Sequence, residues 1–232
     1  MKVGLLADIH ANSLALEIVL QSAEVLGVEQ LLIAGDLVGY YFSPLDVCRM
    51  LEDWPTQMVR GNHEDYLRRA RKDSQVLAEF NKTYGYGLKD ALDQLDATQL
   101  DKLTSLPHPL AIEIDGLSIL LCHGAPWDND CYIYPDASDE LLGKCLSGNH
   151  DVVVLGHTHY PMLRKIGETT IVNPGSVGQP RNRKPGAHWA VLDTINGEIE
   201  FRNELYDPAV LVAQCLERNA DLPYLSEVLT RT

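Results

Sequence analysis

KVGLLAD, Lys2 to Asp8, decides the fold. It reads as a buried strand that delivers a carboxylate at its carboxyl end. Behind it, NSLALEIVLQSAEVLG (12–27) spaces its apolar residues for a helix after an Asn/Ser cap, so the chain opens as a β-α unit. The pattern repeats. EQLLIAGD (29–36) is a second strand, SPLDVCRMLEDW (43–54) a second helix with Ser43 as cap, Pro44 at its first position and Asp46 in its first turn, and TQMVRG (56–61) a third strand. Short apolar strands alternating with helices predict a parallel α/β sheet, whose sites form outside the carboxyl ends of the strands.

From Glu64 to Leu106 the pattern is helical and polar, broken at Gly85 and Gly87, which predicts two or three helices beside the sheet and no motif chemistry. HPLAIEIDGLSILLCHG (108–124) reads as a hairpin turning at Asp115-Gly116, and HWAVLDTINGEIEFRNELY (188–206) as another turning at Asn196-Gly197. Two sheets follow. Between the hairpins lie a helix near 140–146, the strand DVVVLG (151–156) and the irregular loop NPGSVGQPRNRKPG (173–186). The tail from Asp207 runs as a helix to about Arg218. The expectation is one domain over 1–232, with a motif core to about 205 and a helical tail over 207–232.

The composition narrows the function classes. With 45% hydrophobic and 22% charged residues, the chain is too apolar for disorder. Its longest apolar runs are far shorter than a membrane span, and MKVGLLADIH meets an acid too early for a signal peptide, so a cytoplasmic location is expected, with no membrane partner. Five scattered cysteines without a C-x-x-C pair are no disulfide scaffold, and Cys122, ending the run LSILLC, reads as buried and structural. A net charge of −14 argues against an extended nucleic-acid surface, so an anionic substrate must be held locally. RNRK, Arg181 to Lys184, is a compact basic segment that could do so.

One device recurs at the strand ends: LLADIH (Asp8, His10), LIAGD (Asp36), VRGNH (Asn62, His63), LLCHG (His123) and VLGHTH (His157, His159). A lone histidine is more often a hydrogen-bonded structural residue, the reading kept for His108, His150 and His188. Five of the eight histidines, however, fall at strand ends that a parallel sheet brings to one edge. Three Asp or Asn side chains and four imidazoles exceed one tetrahedral zinc but suit two divalent cations about 3.5 to 4 Å apart, with room for water. A carboxylate can bridge such ions, and the i, i+2 spacings of Asp8/His10 and His157/His159 keep each pair on one face of extended backbone. Oxygen and nitrogen donors without thiolate suit manganese, iron, zinc, cobalt or nickel.

These residues resemble the motifs D-x-H, G-D, G-N-H-[DE], a lone His and G-H-x-H of the calcineurin-like metallophosphoesterases, present here as DIH, GD, GNHE, His123 and GHTH from Asp8 to about Gly178. NPGSVGQPR is similar to the same stretch of the small prokaryotic members. The resemblance implies a two-sheet sandwich flanked by helices. It also implies one metal on Asp8, His10, Asp36 and His159 and a second on Asp36, Asn62, His123 and His157, bridged by Asp36. Asn62 would then be a neutral ligand. His63 would bind no metal but stand beside the substrate, stabilising the phosphorane or protonating the leaving oxygen. Glu64 and Asp65 would cap the next helix or orient His63. The implied reaction is hydrolysis of a phosphate ester by a metal-bridging hydroxide attacking in line.

Two rim loops depart from the family pattern. Relatives often carry Gly-Tyr-Gly-Pro where this chain has GYYFSP (39–44), and a basic residue after H-G-S-P where it has HGAPWDNDCYIYPDASDE (123–140). Substrate identity rests on these loops. A small phosphodiester or nucleotide polyphosphate is favoured, with Arg181 holding a second phosphate, Asn62 beside it, and Trp127, Tyr132 or Tyr134 offered to a base. The competing reading is a catalytically silent phosphoesterase-fold interaction module, which should have lost ligands or His63. None is lost.

Overall fold

The computed structural model describes residues 1–232 and begins as the sequence predicts. The order is β1 (Lys2–Leu6), α1 (Ser13–Leu26), β2 (Gln30–Ile33), α2 (Pro44–Glu52) and β3 (Thr56–Met58). Asn12 caps α1, its side chain accepting from Ala15 N at 3.1 Å, and Gly27 ends the helix with a left-handed φ of 70°.

The polar stretch then forms four helices, one more than the upper expectation: α3 (Asn62–Ala70), α4 (Ser74–Tyr84), α5 (Gly87–Gln94) and α6 (Ala97–Thr104). Asp73 and Asp96 each accept a backbone N–H and restart a helix inside polar sequence, where caps and solvated faces look alike.

The second half holds β4 (Leu110–Ile114), β5 (Leu117–Leu121), α7 (Asp139–Lys144), β6 (Val152–Val154), β7 (Met162–Ile166), β8 (Thr169–Asn173), β9 (Ala187–Asp193), β10 (Ile199–Glu204), α8 (Ala209–Arg218) and α9 (Tyr224–Thr230). Asp115 and Gly116 both take positive φ, 51° and 82°, as the two-residue hairpin turn requires. The β7/β8 hairpin and α9 go beyond the sequence expectations.

Two five-stranded sheets face each other, ordered β10-β9-β1-β2-β3 and β4-β5-β6-β8-β7. The parallel pairings are β1/β2/β3 and β5/β6/β8, while the hairpin strands pair antiparallel, so each sheet is mixed rather than wholly parallel. Val3 and Leu5 of β1 meet Ile112, Leu121 and Val154 between the sheets, whereas Leu6 turns to the α1 side. This alternation is the period of two that a strand imposes. Truncating fully buried Leu5 to Ala would cost about 2–5 kcal/mol. The sandwich thus brings the carboxyl ends of β1, β2 and β3 opposite those of β5 and β6. No helix is long and apolar enough to cross a membrane.

Candidate metal centre

The seven candidate ligands follow five strands: Asp8 and His10 after β1, Asp36 after β2, Asn62 after β3, His123 after β5, and His157 and His159 after β6. All but the half-buried Asn62 are buried. Asp8, His10, Asp36, His157 and His159 all hold left-handed backbone, with φ between 52° and 67°. Such conformations persist only where surrounding contacts impose them. Here His10 N donates to Asp36 O (2.9 Å), Gly178 N to Asp8 O (3.0 Å) and Ser176 Oγ to Asp8 O (2.7 Å). Asn173 Nδ2 donates to Gly156 O at 2.6 Å. The NPGS segment is therefore a fastener for the first and last ligand loops.

Asp8, His10 and His159 lie within one possible coordination sphere, and Asp36, His123 and His157 within another. Asp36 stands between them: its Oδ2 is 3.3 Å from His123 Nε2 and 3.7 Å from His10 Nε2. Asn62 Oδ1 is 3.1 Å from His123 Nε2.

The imidazoles are oriented for metal. The Nδ1 atoms of His10, His123 and His159 donate to the carbonyls of Val38, Ala34 and Gln179 at 3.1, 2.6 and 2.6 Å, leaving each Nε2 as the donor to the centre. His10 Nε2 and His159 Nε2 then face each other at 3.1 Å as two lone pairs. Moving a proton onto either would strip its Nδ1 carbonyl contact, and burial holds both imidazoles well below their ordinary pKa. Asp8 Oδ2 and His157 Nε2 are buried without any hydrogen-bond partner. Divalent cations in the two spheres would satisfy all four atoms, so the donor set fits divalent metal.

Burial opposes charge on Asp36, but the His123 and His63 imidazoles hold it well below the carboxylate range. Burial likewise opposes charge on His123, which Asp36 nonetheless raises to about 10. Without metal, these two form the ion pair at the heart of the site.

His63, in the first turn of α3, is buried and pushed down to about 4, chiefly by that burial. Its backbone N donates to Asp36 Oδ1 at 2.9 Å and its Nε2 lies 3.9 Å from Asp36 Oδ2. Gly39 makes room for it, since a Cβ there would lie 2.0 Å from His63 Nδ1. Glu64 does more than cap α3. Its oxygens accept from Gly61 N, Asp36 N, Leu37 N and Val38 N at 2.8 to 3.3 Å, tying the Asp36 loop to the helix. Asp65 pairs with Arg60 and Arg68, both at 2.7 Å.

Over the centre opens a cavity of about 130 Å³ walled by Tyr40, Tyr66, Tyr84 and Tyr132, with Arg181 and Asp130 also lining it. Arg181 Nη2 donates to Tyr40 Oη (3.0 Å) and Gln179 Oε1 (2.9 Å), while its Nη1 has no protein partner. Trp127 is not brought here. It is 50% exposed and outside the lining, and Tyr132 of the same loop takes the place beside the centre, its ring 4.0 Å from that of His157. Tyr66 and Tyr84 lie in the stretch expected to carry no chemistry. The available signal was the HEDY spacing, which sets Tyr66 one helical turn beyond His63.

Residues 1–197 match the calcineurin-like phosphoesterase superfamily domain. The chain belongs to that superfamily. An uncharacterised protein of Methanocaldococcus jannaschii is 28% identical over 225 residues, covering 88% of each chain. A metallophosphoesterase from Sphaerobacter thermophilus is 27% identical, with a TM-score of 0.81 over 100% of this chain and 99% of that one. A hypothetical protein from Pyrococcus horikoshii OT3, 22% identical, shares the fold with a TM-score of 0.87 over 99% of this chain and 98% of that one. Membership makes this chain a metal-dependent phosphoester hydrolase.

Proposed function

We propose that this hydrolase uses two metal ions to cleave a phosphodiester or a nucleotide polyphosphate, in the cytoplasm. The observation that carries the reading is Asp36, whose Oδ2 lies within 4 Å of an imidazole from each donor set. One ion would sit on Asp8, His10, Asp36 and His159, the other on Asp36, Asn62, His123 and His157. Manganese, iron, zinc, cobalt and nickel all suit these donors. Bound there, the ions would supply Lewis acidity, a water made nucleophilic at neutral pH, and neutralisation of phosphate charge.

The chain's own groups do the rest. His63 Nδ1 is buried without an acceptor, so the hydrogen belongs on Nε2, beside Asp36 and the cavity. There it serves as a donor to a phosphate oxygen or to the leaving oxygen. The N-terminus of α3, carrying Asn62 and His63, adds a favourable dipole for an anion.

Arg181 supports the choice of substrate. Its free Nη1 and its Tyr40-anchored Nη2 offer a fixed planar cation beyond the metal ligands, suited to a second phosphate. The tyrosine faces around it suit a ring. Arg181→Lys tests this directly: KM for a dinucleotide polyphosphate or a bis-aryl diester should rise more than KM for a simple aryl monoester. Equal effects on all substrates, or none, would remove Arg181 from the site.

A further inference from the structure

Residues 198–232 lie beyond the matched family segment, yet the tail that carries α8 and α9 touches three of the chain segments that wall the cavity, those of Tyr40, Tyr84 and Arg181. The segment carrying Tyr40 is held from below: Tyr41 and Phe42 are buried in one apolar cluster with Leu211, Cys215, Leu225 and Val228, and Tyr41 Oη donates to Leu225 O at 3.1 Å. The end of α4, which carries Tyr84, is held twice. Tyr224 Oη donates to Thr83 O at 3.1 Å, and Tyr86 N donates to Asn219 Oδ1 at 3.2 Å. The loop carrying Arg181 receives Arg231 Nη2 on its own carbonyl at 3.1 Å. The Tyr224 ring also stands edge-on to Tyr40 at 6.4 Å.

None of these contacts reaches a candidate metal ligand. Asp8, Asp36, His123 and the 157–159 loop are fixed by the sheets, Glu64 and the NPGS segment instead. The tail thus bears directly on the cavity wall and not on the ligands.

We propose that the C-terminal helices determine which substrates enter, with Tyr224 and Leu225 as positioning residues for the wall of Tyr40, Tyr84 and Arg181. Tyr224 fixes the Tyr84 end of α4 against the Tyr40 ring. Leu225 fixes the floor under Tyr40 through Tyr41. The inference rests on reading that wall as the substrate's contact surface, and it assigns control of the wall to an element the chemistry does not use. A tail that merely covered apolar surface would change stability without discriminating between substrates.

The experiment uses the full-length, metal-loaded chain and compares an aryl phosphomonoester with a bis-aryl phosphodiester. Tyr224→Phe removes the Thr83 bond and leaves the packing, while Leu225→Ala opens the floor. Each variant should keep its metal content and its monoester kcat within about twofold and raise the diester KM about fivefold or more. A lowered melting temperature with both KM values unchanged would overturn the proposal, because a purely structural tail gives that result. Tyr40→Phe, with the tail intact, separates the two levels. If it raises the diester KM and the tail variants do not, the tail assignment alone falls; if it changes nothing, the reading of the wall falls and takes the tail with it.

Discussion

Asp36 Oδ2 lies 3.3 Å from His123 Nε2, joining a loop of the first sheet to a loop of the second. That single oxygen also faces His10, so in the proposed two-metal centre both donor sets would depend on Asp36. Asp36→Asn keeps the shape, removes the charge and turns one oxygen into an N–H donor. Metal per chain, measured after exhaustive dialysis, should fall from about two to one or none, with turnover falling alongside. Circular dichroism should stay unchanged, because apolar strands carry the fold. Full occupancy in the variant would rule out the bridge.

His63 should behave in the opposite way. His63→Ala leaves every candidate ligand in place, so metal content should be retained while turnover drops roughly 10² to 10⁴-fold, the range for one general acid or charge stabiliser. Loss of metal instead would make His63 a ligand.

Glu64 is the support on which Asp36 rests. Glu64→Gln replaces one of two accepting oxygens with an amide that itself donates, and so orphans up to two of the four backbone N–H groups now satisfied. Each orphaned buried donor costs about 1–3 kcal/mol, so urea unfolding should show a loss of about 2–4 kcal/mol in the metal-free protein. A loss below about 1 kcal/mol would mean that the loop finds other acceptors.

His108 gives the pH dependence a clean sign. Burial, with His123 and Arg60 nearby, pushes it down to about 4, below the 6.5 of an exposed imidazole. Between these values the unfolded chain binds the proton and the folded chain does not. The neutral-His108 contribution is therefore complete above pH 6.5 and is lost as the pH falls toward 4. His108→Gln removes that proton. The stability of wild type minus variant should accordingly decline from pH 7 to pH 4, measured on metal-free protein so that ligand protonation does not intrude. A flat difference would place His108 in solvent.

Much of this centre was legible because the sheet does the gathering. LLADIH, LIAGD, VRGNH, LLCHG and VLGHTH each pair a strand with its polar terminus, and strand direction alone sends those termini to one edge. The β7/β8 hairpin was not legible: MLRKIGETTIVN mixes charge with β-branched residues around Gly167, and its inner face, at Val172, is set by partners distant in sequence. The tyrosine wall was hidden for a similar reason. Tyr40, Tyr66, Tyr84 and Tyr132 come from four separate segments, and nothing local distinguishes a tyrosine that lines a cavity from one that packs. Trp127 and Tyr132 show how little a loop sequence says about direction, since they share a loop and only Tyr132 reaches the centre.

Five of the seven candidate ligands sit on left-handed backbone, which Asp and His tolerate better than most residues with a Cβ but glycine adopts more readily still. Glycine would be easier at every one of them. Judged by backbone conformation alone, Asp8, His10, Asp36, His157 and His159 are the wrong amino acids. A screen that rewarded only backbone ease would place glycine at these five positions, and the protein it returned would be inert.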